Sequence, residues 1–368
     1  MHKATETALN QLRDRIKAGE WSENSFLPAE RKLCAELDVG RGAIAAIFRE
    51  LTLQGLISIE PGRGVRVLSS GGAGGAVLRQ VLVIEYANFS ISNSAEHLQL
   101  LGHLSQATAA HGIGMSLAFI DLDQPIKPIL DRYARDEFQA VIVVERSELI
   151  DIDLMLRHGI PTVVINYEAE GKHPCVRVDF REIGRIAGRE FVQAGLRRIG
   201  VLAAASDSFF CREMIAGLKG VLAEDDLALD PGRVIYWTSP TDLLRSVPAG
   251  TVTDPDPLLL DLLRRPDRPD AFFVIRDWRA ARIYEIARRV GLAIPADLAV
   301  ISYDNISWVE APSVGLSTIS EPTEALAEQS IAMLREWKQS GKRPANVKIG
   351  GELIRRASVP PSRSADIN

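Results

Sequence analysis

The chain has 368 residues, 46% of them hydrophobic and 25% charged, with a formal net charge of −5 and a mean hydropathy near zero. It is too long for one typical domain and too apolar for a disordered chain, so two or three packed cores are expected. The opening MHKATETALNQLRDRIKAGE has no apolar signal core, no run is long enough to span a membrane, and Cys34, Cys175 and Cys211 lack metal or disulfide spacing; the reading is a cytoplasmic protein with reduced thiols and no metal or cofactor.

Leu9, Leu12 and Ile16 predict a first amphipathic helix that stops at Gly19-Glu20-Trp21. Pro28 suits the first turn of a second helix, with Leu33, Ala35 and Leu37 turned inward and Glu30, Arg31, Lys32 and Glu36 wet. Val39-Gly40-Arg41-Gly42 makes a turn, and Ala43 to Leu53 forms a third helix whose buried face is Ile44, Ile47, Phe48 and Leu51. Two β-prone runs, Leu56 to Ile59 and Val65 to Val67, flank a tip at Pro61-Gly62-Arg63-Gly64. This is the layout of a winged helix-turn-helix, which sets its second motif helix in the DNA major groove. Residues 1–68 hold ten Lys and Arg against nine Asp and Glu, a balance of +1 that leaves −6 for the remainder. Phosphate affinity draws on a basic face, so a head this neutral must rely on shape and a few side chains.

Residues 69–77 are Gly- and Ser-rich and read as a flexible linker. From there to 368, apolar runs alternate with amphipathic stretches. Strands are predicted at Val81–Glu85, Met115–Ile120, Ala140–Val144, Thr162–Ile165, Ile199–Ala203, Val234–Trp237, Ala271–Ile275 and Leu298–Tyr303. Helical patterns fall between them at Ala95–His111, Arg181–Ala194, Ser208–Leu222, Arg279–Val290 and Glu324–Gln339. Strands buried on both faces and alternating with helices imply doubly wound parallel sheets, and so many strands fit two α/β lobes. Ligands in such folds sit at the carboxyl ends of the strands.

The stretch from Leu27-Pro28-Ala29-Glu30-Arg31 through the Gly40-Arg41 turn to the Gly62-Arg63-Gly64 tip resembles the GntR-type winged helix. That resemblance implies DNA contacts from Arg31 and Arg41, with Gly40, Gly42 and Ala43 at the helix start and Gly62, Arg63 and Gly64 on the wing. In the family, position 40 is usually Ser or Thr, position 42 Thr or Pro, and position 45 often Arg or Lys; here they are Gly40, Gly42 and Ala45, which leaves shape readout or thymine-methyl contacts. The segment 78–368 is similar in its order of motifs to the LacI/GalR-type effector domain of periplasmic-binding-protein type I. The carrying stretches are HGIPTVVINYEAEGKHPCVRVDFREIGRIAGREFVQAGLRRIGVL, DAFFVIRDWRAARIYEIARRVGLAIPADLAVISYDN, LSTISEPTEALAEQSIAML and GELIRRAS. Head and sensor together resemble the arabinose-repressor group of regulators.

The second resemblance implies crossovers between lobes near 178, 304 and 320. It also implies an effector site at Asn88 and Phe89 after the first strand, at Arg276-Asp277-Trp278, and at Asp304, whose carboxylate can accept adjacent sugar hydroxyls. The family's ligand-gripping arginine falls at Met214, and Arg212 is the substitute; Arg276 adds a cation that brings acidic sugars and phosphosugars into view. There is no P-loop, no G-x-G-x-x-G after the first strand, no G-x-S-x-G elbow and no histidine cluster, so no enzyme is expected. The expected protein is a ligand-responsive repressor and homodimer that binds a palindromic double-stranded operator and a sugar-like effector, with no membrane partner. Its alternative is a small-molecule sensor with weak or lost DNA binding.

Overall fold

The computed structural model describes residues 3–22, 24–53, 56–60, 62–68, 78–86, 95–120, 126–144, 152–166, 173–204, 208–237, 251–306 and 315–362. The linker 69–77 and the site positions Asn88 and Phe89 lie outside them. By internal contacts the chain divides into two compact units. One is Met1–Ala87 with Leu104–Val176 and Glu328–Asn346; the other is Asn88–His103 with Arg177–Ala327 and Val347–Asn368. Among the described residues, no helix is long and apolar enough to cross a membrane.

The head begins with α1 (Lys3–Lys17), α2 (Glu30–Glu36) and α3 (Arg41–Leu53), followed by the hairpin β1 (Ile57–Glu60) and β2 (Gly64–Val67). Leu9, Leu12 and Ile16 of α1 meet Leu33, Leu37, Ile44, Ile47, Phe48 and Leu51 in one core, closed by Ile57 and Val67 from the hairpin. The register Ile57↔Val67 and Ile59↔Val65 sets the wing. On its other side β2 receives the segment before α2, with Leu27 N–H donating to the Val65 carbonyl at 2.8 Å. Pro28 precedes the N-cap Ala29 instead of entering the first turn. Ala35 is exposed and Cys34 half-buried, because on a helix the partners of Leu33 are three and four residues away, not two.

The first unit carries most of a six-stranded sheet in the order β14-β7-β6-β5-β3-β4, built from β3 (Gln80–Tyr86), β4 (Gly114–Ile120), β5 (Ala140–Val144), β6 (Thr162–Ile165), β7 (Cys175–Val178) and β14 (Val347–Ile349). The second unit has a seven-stranded sheet, order β10-β9-β8-β11-β12-β13-β15. Its strands are β8 (Ile199–Ala203), β9 (Val234–Trp237), β10 (Thr251–Val252), β11 (Ala271–Val274), β12 (Ala299–Asp304), β13 (Ser317–Ser320) and β15 (Glu352–Ile354). β8 pairs in parallel with both β9 and β11, so the strand order reverses between β8 and β11. Doubly wound sheets open a crevice at that point. Successive strands change sheet after β7, after β13 and after β14, whereas the strands flanking residue 304 are register neighbours, Ile301↔Ser317, so the sheet is not left there.

Two helices of the second unit, α7 (Phe180–Gln193) and α8 (Phe209–Glu224), approach to backbone contact. A Cβ at Gly184 would overlap the Met214 carbonyl, and one at Gly217 the Arg181 carbonyl. Since both obstacles are main chain, no rotamer change relieves them. Gly184→Ala is therefore expected to cost about 3 kcal/mol, the upper range of overpacking. Gly42→Ala, with nothing within 4 Å, is expected to be neutral or slightly stabilising. Urea unfolding of both variants checks the contrast.

Candidate functional site

The head has seven arginines, and internal partners divide them into two groups. Arg15 binds Glu20 at 2.6 Å and Glu36 at 3.0 Å, Arg66 binds Glu60 at 2.5 Å, Arg63 lies 3.5 Å from Glu60, and Arg13 holds Asn10 at 2.8 Å. Arg31 on α2 and Arg41 and Arg49 on α3 are exposed, with no hydrogen-bond or ion-pair partner among the described residues. Gly40 immediately precedes α3, its carbonyl accepting from the N–H groups of Ala43 and Ile44 at 3.0 and 3.1 Å. Gly40 and Gly42 face open space, so the bare surface beside Arg41 is not a packing requirement. On the wing, Gly62 and Gly64 have φ of 74° and 118°, which favours glycine at both. Arg63 projects from the tip with a 70% exposed side chain, and Phe26 lies under the guanidinium groups of Arg63 and Arg66 at 6.0 and 5.0 Å. The structure thus places the residues expected to contact DNA on α2, on α3 or the residue before it, and on the wing. Arg49, exposed on α3, carries no motif signal and emerges only once the helix face is known.

The second constellation gathers at the carboxyl ends of β9, β11, β12 and β13. Arg276 follows β11 and caps α10 (Asp277–Arg289) with φ 83°. Asp304 and Asn305 end β12 at φ 131° and 61°. Non-glycine residues at positive φ, such as these three, cost about 1–3 kcal/mol each, and such strain persists where the surroundings over-determine it. Here Arg276 Nη1 donates to Asp304 Oδ1 at 3.1 Å and lies 3.9 Å from Glu321 Oε2. The Asp277 N–H donates to Asp304 Oδ2 at 3.3 Å. Arg356 holds the Asn305 amide oxygen at 3.0 Å, and the Asn305 N–H donates to Thr318 Oγ1 at 3.3 Å.

Two expectations change with this geometry. Arg276, read from sequence as an added cation for an acidic ligand, already faces two buried carboxylates, so its charge is met from inside the protein. Asp277, expected to face the ligand, is fully buried. Its Oδ1 accepts from the hydroxyls of Ser302 and Thr318, and its Oδ2 from the Ile306 N–H at 3.0 Å. Burial raises its pKa, while those donors pull the other way. It anchors the loop after β12 rather than offering a free oxygen. Arg212 is exposed on α8, and Met214, at the family's arginine position, has no accessible surface for a ligand.

Aromatic rings line the same strand ends. Trp278 and Trp237 meet edge to face, with centroids 4.9 Å apart. The buried Arg279 guanidinium lies 4.2 Å from the Trp278 ring and donates to the carbonyls of Trp237 and Ile275 at 3.0 and 3.3 Å. Phe210 lies beneath Arg276 at 5.2 Å, and Phe180 packs on Phe209, Phe210 and Tyr303. The Tyr303 hydroxyl donates to Glu321 at 2.9 Å, and burial beside Glu321 and Asp304 keeps its proton on well above the ordinary phenol range. Cys211 is buried beneath, its thiol pushed up to about 11 by desolvation. Trp237, Arg279 and Glu321 were not singled out from sequence; Trp237 could have been, as the last residue of a predicted strand.

Fold and sites together define the class: a winged helix-turn-helix followed by two parallel-sheet lobes of periplasmic-binding-protein type I. Residues 4–67 match the family of bacterial regulatory proteins, gntR family, and residues 188–359 match the periplasmic binding protein-like domain. Among curated relatives, the HTH-type transcriptional repressor PurR of Photobacterium profundum is 26% identical over 215 residues, 58% of this chain and 61% of that protein. The arabinose metabolism transcriptional repressor of Geobacillus stearothermophilus is 28% identical over 217 residues, 54% of each. The chain thus spans about three-fifths or less of these two relatives. In fold it is similar to a regulatory protein of LacI family from Chloroflexus aggregans, with TM-score 0.66 and 19% identity over 76% of this chain and 98% of the other. It is also similar to the transcription regulator CcpA of Lactococcus lactis, with TM-score 0.60 and 15% identity over 77% and 100%.

Proposed function

We propose that this chain is a ligand-responsive, sequence-specific DNA-binding transcription repressor, not an enzyme, that acts in the cytoplasm on carbohydrate-utilisation genes. The observation that carries the reading is the pairing, in one chain, of two features. One is a helix-turn-helix whose exposed Arg31 and Arg41 have no internal partner among the described residues. The other is a strained polar site at the carboxyl ends of β11, β12 and β13 in a doubly wound sheet. The repressors named among the relatives, including a ribose operon repressor from Haemophilus influenzae, support the sign and the gene class. We read the active species as a homodimer, because a two-fold dimer presents matched heads to the half-sites of a palindromic operator.

For the effector, the site favours a neutral, hydroxyl-rich ligand over an anion. Arg276 is already met by Asp304 and Glu321, and Arg279 and Arg356 are engaged with carbonyl and amide oxygens. A ligand hydroxyl that took over a lone pair of Asp304 would exchange one hydrogen bond for another, whereas an anion would face two carboxylates. The indoles of Trp237 and Trp278, set edge to face, supply apolar aromatic surface against which a sugar ring can pack. A thermal-shift screen across neutral sugars, acidic sugars, phosphosugars and nucleosides tests this. A true effector at a hundredfold excess over its Kd stabilises by about 2.7 kcal/mol. Asp304→Ala is expected to abolish that shift, and a shift that persists moves the effector site elsewhere. Full effector binding without any affinity for duplex DNA would favour the second reading, a sensor that has lost its DNA function.

A further inference from the structure

Arg49, the third arginine of the head without a partner among the described residues, has no role in the motifs that suggested DNA binding. On α3 the inward face is Ile44, Ile47, Phe48 and Leu51, all buried. At 100° per residue the opposite face runs through Gly42, Ala45, Ala46 and Arg49. Arg49 lies seven residues after Gly42, two turns along and about 10 Å further down the axis on nearly the same line. Its helical neighbours at three and four residues are Ala45, Ala46, Thr52 and Leu53, none of which can neutralise it. Glu50 is adjacent in sequence, but on a helix that spacing does not bring side chains face to face. Between Arg41 and Arg49, the outward surface carries nothing larger than a methyl group at positions 42, 45 and 46.

Resting on the reading of the head as a DNA binder, we infer that Arg49 contacts the DNA phosphate backbone, so that the working surface of α3 extends into its third turn. A groove-bound helix reads base edges from its N-terminal residues, and an exposed cation two turns further on is placed for the phosphates instead. Arg49 restores to a head of near-neutral charge a cation that Gly40, Gly42 and Ala45 do not supply. A phosphate contact is independent of sequence and releases a counterion, which makes it measurable without knowing the operator.

The test is fluorescence anisotropy of the full-length protein on a labelled mixed-sequence duplex, titrated between about 50 and 200 mM salt. Arg49→Ala is expected to flatten the plot of log affinity against log salt by about 0.9 per engaged head, with an unchanged melting midpoint. Arg49→Lys is expected to keep the wild-type slope. Arg288→Ala, which removes an exposed arginine of α10, is the control and should leave the slope as it is. An Arg49→Ala slope equal to wild type, in a protein whose Arg41→Ala variant loses affinity, overturns the assignment. Loss of affinity in Arg49→Lys as large as in Arg49→Ala would make the contact a base contact and overturn the phosphate role. A wild-type protein with no salt-dependent binding would overturn the DNA-binding reading itself, and this inference with it.

Discussion

Arg41→Ala is expected to abolish sequence-specific operator binding while leaving the fold intact. Arg41 is the first residue of α3, exposed, and without a partner among the described residues. The helix start depends on the Gly40 carbonyl, which receives the N–H groups of Ala43 and Ile44, and not on the Arg41 side chain. A cation in the first turn opposes the helix dipole by about 0.3–1 kcal/mol, so removing it should stabilise the head slightly if it has any effect on stability. A residue that costs the fold something and satisfies nothing within it is explained by a partner outside. An arginine bidentate to a guanine contributes about 1–3 kcal/mol of discrimination. Over two heads of a dimer that is about 2–6 kcal/mol, or at least thirtyfold in affinity. Gel-shift titration against an operator selected from random duplexes measures it, and unchanged affinity would remove Arg41 from the DNA face.

Asp277→Asn is expected to destabilise the sensor by about 1–3 kcal/mol, the cost of leaving buried donors without acceptors. Two hydroxyls and the Ile306 N–H converge on the carboxylate. An asparagine has one acceptor oxygen, and its amide would turn donors toward donors. The loop that carries Asp304 and Asn305 in left-handed backbone would lose the anchor that holds it. A fall of about 2–4 °C per kcal/mol follows for a unit of this size. The pH dependence has a definite sign. Burial raises the Asp277 pKa, so folding favours its protonated form. That contribution is full below the ordinary aspartate range and is lost as pH rises through the raised value. Asparagine does not titrate, so the advantage of wild type over Asp277→Asn should be largest in acid and shrink toward neutrality. A gap that widens with pH instead would mean that the hydrogen bonds to Asp277 outweigh its desolvation.

Much of the fold was legible because burial and hydrophobicity coincide in most of its strands. β5, β6, β8 and β9 run where their apolar stretches begin and end. The strand β13, Ser-Thr-Ile-Ser, was not legible. Three of its four residues are hydroxylic, and the buried ones are met by hydroxyl bonds, Ser317 to the Arg356 carbonyl and Thr318 to Asp277. Strand β7 carries a buried arginine, Arg177, whose guanidinium lies 5.2 Å from the Phe209 ring. Neither pattern has a local signal, since the groups that make burial tolerable come from distant elements.

The candidate site divides along the same line. The helix-turn-helix spacing and the alternation of apolar strands with amphipathic helices are short-range patterns, and they alone determined that this chain joins a winged-helix head to doubly wound α/β sheets. Which charges are available is a long-range matter that only the tertiary structure decided. Seven arginines look alike along the head, yet Glu20, Glu36 and Glu60 take up three of them, and helix geometry leaves Arg31, Arg41 and Arg49 open. Arg276 looks like a free cation until Asp304 and Glu321 arrive from neighbouring strands. Periodicity is written within a few residues, whereas charge compensation acts through space, between groups that folding alone brings together.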